Sequence, residues 1–238
     1  MNEFWKNPDL LVRTGSHLYG CATPTSDEDT RGFVVPSALH LLGRAKFELY
    51  ESREPDMTIW SFQKFFHLLE TGSPNVIELL FVPANHILRA SPVGQKLLDS
   101  KHLFLSKQNV KPIQGFALSE WKKAVQYFDN LNKIGERRMA EINTVGYSIK
   151  NAYHAIRLMW QLHELLTTGK ITFPRPEAFI LKDIRNGNCT IEELTHMWDS
   201  LDRAIPGMVE TSVLPEQLDR DRLNDLYVSL IRDKIQIV

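Results

Sequence analysis

Thr14-Gly15-Ser16-His17-Leu18-Tyr19-Gly20, then Ser26-Asp27-Glu28-Asp29-Thr30-Arg31-Gly32-Phe33-Val34-Val35, is the stretch on which the reading turns. A Gly-Ser turn beside a helix start lets backbone N–H groups come close to a ligand, because glycine has no Cβ to block the approach. Asp27 and Asp29 stand two apart. On an extended strand that spacing puts both carboxylates on one face and Glu28 on the other. Two carboxylates on one face, next to a phosphate-cradling turn, suit a Mg²⁺-nucleotide site, since Mg²⁺ takes one or two carboxylates and fills its shell with phosphate oxygens and water. Taken singly, Gly-Ser is a turn and Ser-Asp-Glu-Asp-Thr a solvated loop; the combination carries the specificity.

Outward from this stretch, Pro36 ends the apolar run Phe33-Val34-Val35, as expected of a buried strand. Phe47-Glu48-Leu49-Tyr50-Glu51 alternates apolar and polar residues, and Met57-Thr58-Ile59-Trp60 is rich in strand formers. The two read as a hairpin with Glu54-Pro55-Asp56 near its turn. From Ser61 the period becomes helical, with Phe62, Phe65, Phe66 and Leu69 on one face and Gly72 as a stop. Val76 to Phe81 fits a second helix or a buried strand. Beyond Ser119 the pattern is helical: Trp121, Val125, Phe128 and Leu131 form one stripe, and Tyr153, Ile156, Met159 or Trp160, and His163 another. Thr190-Ile191-Glu192-Glu193 starts a further helix, and Leu223 to Ile235 forms the last. The expected fold class is α+β, a small mixed sheet with helices over residues 1–110 followed by an α-helical half over 111–238.

With 43% apolar and 24% charged residues over 238 positions, the chain is neither disordered, collagenous nor a coiled coil. The formal charge of -1 gives no overall field toward nucleic acid or membrane. Charge is uneven, however: residues 101–160 carry 10 basic and 4 acidic side chains, the one segment that favours a phosphate-bearing partner. Cys21 and Cys189 show no metal-ligand spacing and read as reduced thiols. No apolar run reaches bilayer length, and Met1 to Leu10 lacks the pattern of a signal peptide. A cytoplasmic protein without a membrane partner is expected.

These motifs resemble the signature of the nucleotidyltransferase superfamily that includes DNA polymerase beta. More narrowly, GSHLYG with SDEDTRG is similar to the bacterial and phage nucleotidyltransferases predicted to act in RNA repair. That family continues with a strand acid leading to a Lys-Phe helix and an Asn-Pro-Asn-x-x-Glu-Leu-Leu stretch. This chain has Asp56, Lys64-Phe65 and Ser73-Pro74-Asn75-Val76-Ile77-Glu78-Leu79-Leu80, with Ser73 in place of the first Asn. The family's Lys, His and Arg near an Arg-Leu pair are matched by Lys150, His154, Arg157 and Leu158.

The resemblance implies an enzyme that transfers a nucleoside monophosphate from a nucleoside triphosphate to a hydroxyl, releasing pyrophosphate. Asp27, Asp29 and Asp56 are then the catalytic acids, holding two Mg²⁺ ions that Mn²⁺ can replace. Glu51 and Glu54 rival Asp56 as third carboxylate. Gly15, Ser16, Tyr19, Gly20, Ser26, Lys150, His154 and Arg157 are the expected nucleotide-binding residues. Ser26 is equally a turn residue, and Lys150, His154 and Arg157, at i, i+4 and i+7, are equally a solvated helix face. Arg31 is open to a structural ion pair, and Glu78 to a structural hydrogen bond. An RNA end is the favoured acceptor, with Lys107, Lys111, Lys122, Lys123, Lys133, Arg137 and Arg138 as its basic contacts. A protein or small-molecule acceptor, and a non-catalytic nucleotide-binding module, are the alternatives.

Overall fold

The computed structural model describes residues 4–24, 26–42, 46–125 and 142–235. Phe128, Leu131, Lys133, Arg137 and Arg138 lie outside the described residues. The chain forms two compact units. The first gathers Met1–Ser106, Thr172–Arg175 and Pro215–Val238; the second comprises Lys107–Ile171 and Pro176–Leu214. The sequence reading drew a single boundary near residue 110; the chain instead returns to the first unit after residues 171 and 214.

The first unit is built on a five-stranded mixed sheet. Its strands are β1 (Leu10–Arg13), β2 (Thr30–Val34), β3 (Leu49–Arg53), β4 (Asp56–Ser61) and β5 (Ile87–Ala90), in the order β3-β4-β2-β1-β5. β2 and β4 run parallel, with Thr30 opposite Met57, and the other pairs are antiparallel. α1 (Gly15–Tyr19) follows β1, and α2 (Ala38–Leu42) follows β2. α3 (Phe62–Glu70) starts where the Ser61 hydroxyl accepts from the Lys64 N–H, and it buries Phe62, Phe65, Phe66 and Leu69 as the periodicity requires. Gly72 follows it in the left-handed region.

The Val76–Phe81 segment resolves as neither a strand nor one long helix. A single turn, α4 (Pro74–Ile77), runs into the 3₁₀ turn Glu78–Phe81, and α5 (Pro92–Asp99) follows β5. Buried Asp9 joins several of these pieces. Its carboxylate accepts from the Val35 N–H, the Ser91 hydroxyl and the Lys234 ammonium, each at 2.8 Å.

In the second unit, α6 (Val110–Val125), α8 (Ala178–Arg185) and α9 (Ile191–Glu210) pack around α7 (Ile149–Thr168). Trp121 of α6 stacks on Trp198 of α9, with ring centroids 5.2 Å apart. α9 starts with a complete capping box between Thr190 and Glu193, as its sequence predicts. The last helix, α10 (Arg220–Ile235), belongs to the first unit. Its Tyr227 ring stacks on Phe62 and meets Phe66 edge-on, and Leu223 and Leu230 are buried. The observed class is α+β, with the sheet in the N-terminal half and a helical C-terminal half. Among the described residues, no helix is long and apolar enough to cross a membrane.

Candidate active site

β1 and β2 deliver the two halves of the motif to one end of the sheet. Their antiparallel ladder ends at Arg13 opposite Thr30, and the next pair is tied by the Thr14 N–H donating to the Asp29 carbonyl at 2.8 Å. The Thr14 hydroxyl donates to the same carbonyl at 3.3 Å. Thr14 is fully buried, and sequence reasoning gave it no role. Its signal was its place immediately before the Gly-Ser pair, where a helix cap belongs.

The acids themselves lie just before β2 rather than on it, since Ser26–Asp29 has no regular secondary structure. Asp27 is exposed and Asp29 half-buried. Parallel pairing of Thr30 with Met57 sets Asp29 beside Asp56, each one residue ahead of the pair. The Thr30 hydroxyl also donates to the Asp56 carbonyl at 3.1 Å. Register thus makes Asp29 and Asp56 the tightest pair, closer-coupled than the Asp27–Asp29 pair on which the sequence argument was built.

Electrostatics express that crowding. Burial raises the proton affinity of the Asp29 carboxyl above the ordinary carboxylate range. The charge of Asp56 and a hydrogen bond between the two carboxyls push the same way, Asp27 adds a smaller push, and Arg31 pulls back. Glu51 and Glu54 are absent from the groups acting on Asp29. Both are exposed, Glu51 on edge strand β3 opposite Thr58.

Gly15 opens α1 with φ +67°, and a Cβ built there would overlap the Asp29 Oδ2. Only glycine lets that carboxylate lie against the helix start. Ser16 follows half-buried, and Gly20 closes α1 in the left-handed conformation with φ 77°. Ser26 closes a turn, its hydroxyl accepting from the Thr23 N–H at 2.9 Å. Tyr19 is 4% exposed, and its hydroxyl donates to Glu78 at 2.8 Å, so it stands in the interior of the unit. Glu78 also lies 3.8 Å from Arg31. Both the ion pair and the structural hydrogen bond considered from sequence are therefore present.

Lys150, His154 and Arg157 lie on α7 of the second unit. Lys150 is exposed, His154 half-buried with its ring against Tyr153, and Arg157 buried, donating to Gln161 at 3.0 Å. The stripe passes from solvent into the core rather than forming one wet face. Lys107, Lys111, Lys122 and Lys123 lie on or just before α6, and Lys123 pairs with Glu120 at 2.6 Å.

The sequence pattern of the RlaP family, described as the RNA repair pathway DNA polymerase beta family, matches residues 10–229. The chain belongs to this family. RlaP membership places it in the DNA polymerase beta superfamily. It is also similar to the "38.9 kDa protein in nrdC-mobD intergenic region" of Enterobacteria phage T4, at 27% identity over 122 residues. That match takes in 46% of this chain and 36% of the phage protein, so the chain spans about a third of the length of this relative. No solved structure matches.

Whether the acids suit a metal is a question of donor chemistry. Among the described residues, no group of three or more His, Cys, Asp or Glu side chains is gathered to hold an ion by itself. The Asp29–Asp56 pair is a hard-oxygen donor set, and Asp29 lies in the space that glycine leaves at position 15. Mg²⁺ needs no more from a protein, because it keeps waters and takes phosphate oxygens as its other ligands.

Proposed function

We propose that this RlaP-family chain is a Mg²⁺-dependent nucleotidyltransferase that moves a nucleoside monophosphate from a nucleoside triphosphate to a hydroxyl. The new bond joins the acceptor oxygen to the α-phosphorus, the α–β phosphoanhydride breaks, pyrophosphate leaves, and the hydroxyl proton passes to water. The observation that carries the reading is the Asp29 carboxyl, crowded by Asp56 and held against the Cβ-free face of Gly15.

In this proposal Asp27, Asp29 and Asp56 hold two Mg²⁺ ions, or Mn²⁺ in their place. A metal held there would supply positive charge to offset that of the transferring phosphoryl group. Gly15 and Ser16 offer backbone N–H groups and a hydroxyl to the triphosphate, with Gly20 and Ser26 shaping the turn around them. Thr14 fixes the position of Asp29 through its backbone. Lys150, His154 and Arg157 keep the nucleotide-binding role that the resemblance gives them, and Lys150 is the most exposed of the three.

An RNA end is the acceptor we favour. The family is described by an RNA repair pathway, and residues 101–160 carry the chain's excess of positive charge. A cytoplasmic location belongs to the same proposal. The test incubates the protein and Asp29→Asn with each labelled nucleoside triphosphate, Mg²⁺, and total cellular RNA or protein. Label in RNA with the natural chain, absent with Asp29→Asn, is the expected result. Label in protein would replace the RNA acceptor, and no labelled product in any fraction would overturn the reading.

A further inference from the structure

Three stretches far apart in sequence meet at one buried carboxylate. Glu78, at the start of the 3₁₀ turn after α4, is 1% exposed. Its Oε1 accepts from the Tyr19 hydroxyl at 2.8 Å and lies 3.8 Å from Nη1 of Arg31. Tyr19 ends the helix that Gly15 and Ser16 begin, and Arg31 stands on β2 two residues past Asp29. A carboxylate this deep persists only when paired and hydrogen-bonded. Here one partner comes from each half of the motif.

We propose that Glu78 is the positioning residue that locks the Gly15–Tyr19 helix to the start of β2, just after Asp29, and draws the charge of Arg31 away from the acids. The inference rests on reading Asp29 and Asp56 as metal-binding acids. Arg31 follows Asp29 by two residues where the chain enters β2, the spacing that puts both side chains on one face, so its charge lies beside the acids. The Glu78 side chain, 3.8 Å from Arg31, partly offsets the charge of the guanidinium. With Glu78 replaced by Gln, the Tyr19 bond keeps its acceptor, but Arg31 presents its full charge to the site or turns to pair with an acid. Either outcome weakens binding of a divalent cation.

The experiment is Mn²⁺ titration by calorimetry, without nucleotide, on the full chain and on Asp29→Asn, Glu78→Gln, Arg31→Gln and the Glu78→Gln/Arg31→Gln double variant. Loss of Mn²⁺ binding in Asp29→Asn is expected first. Glu78→Gln should bind about five- to tenfold more weakly than the natural chain, as one unscreened charge near a half-buried site implies. The double variant should regain the natural affinity or exceed it. A purely structural Glu78 would not be rescued by removing its partner, so a double variant as weak as Glu78→Gln overturns the proposal. Unchanged affinity in Glu78→Gln, with loss in Asp29→Asn, overturns it while leaving the acid site standing. Full binding by Asp29→Asn overturns the acid site and this inference together. If Glu78→Gln does not fold, Glu78→Asp, which draws the carboxylate back from Arg31, replaces it: weaker Mn²⁺ binding that is restored by adding Arg31→Gln supports the proposal, and natural affinity in Glu78→Asp overturns it.

Discussion

Burial and the charges of Asp56 and Asp27 make the folded protein hold a proton at Asp29 more tightly than the unfolded chain does. A carboxyl with raised proton affinity favours the fold below the ordinary carboxylate range, and that contribution is lost as pH rises through the folded value. At neutral pH the pair therefore weakens the fold. Asp29→Asn should raise the melting temperature at pH 7.5, by less than relief of a fully buried charge would give, because solvent screens this half-exposed site. Differential scanning calorimetry should show the gain closing as pH falls into the acid range. Mg²⁺ should stabilise the natural chain and leave Asp29→Asn unmoved. Gly15 gives a second test at this scale. Gly15→Ala meets Asp29 as well as an unfavourable φ, whereas Gly146, with φ +83°, has nothing within 4 Å of an added Cβ. Gly146→Ala should cost about 1 kcal/mol of backbone strain, and Gly15→Ala visibly more, together with loss of nucleotide binding. Chemical denaturation of the two variants side by side makes the comparison.

Elements differ in how plainly the sequence announces them. α3 was legible because Phe62, Phe65, Phe66 and Leu69 repeat at the helical period and all four are buried. The β3–β4 hairpin was legible from alternation and turn chemistry around Pro55. β1 was not, although it is a central strand, because Leu10-Leu11-Val12-Arg13 is too short to show a period. Its burial comes from β2 and β5, partners supplied by distant parts of the chain. β5 and α5 were missed for the same reason of short length. The three acids could be named from sequence, but the pairing of Asp29 with Asp56 follows from the parallel register of β2 on β4, which no local pattern encodes. Tyr19 likewise sits inside the motif while its hydroxyl is spent on Glu78, 59 residues away. For stability, α10 matters through its apolar face. Leu230→Ala should cost about 2–5 kcal/mol in urea unfolding, because a fully buried leucine leaves a cavity. Lys96→Ala, which breaks the exposed 2.7 Å pair with Asp233, should cost about 0–1 kcal/mol.

At the scale of the whole molecule, the first unit is discontinuous: its sheet comes early in the chain, while α10, which covers Phe62 and Phe66, comes last. A chain cut after Leu214 should therefore lose the fold of the first unit. Expected are aggregation on size-exclusion chromatography and loss of Mn²⁺ binding; a monodisperse, metal-binding fragment would show that α10 is dispensable. The same discontinuity sets an order of events on the ribosome. A nascent chain has every residue of the second unit once Leu214 is made, but the Phe62–Phe66 surface stays uncovered until Arg220–Ile235 emerges. At about 5–20 residues per second, translation leaves that greasy surface bare for on the order of ten seconds. During this interval, holdase chaperones and neighbouring nascent chains compete for it, so the yield of active protein in a cell depends on elongation speed as well as on the stability of the finished fold.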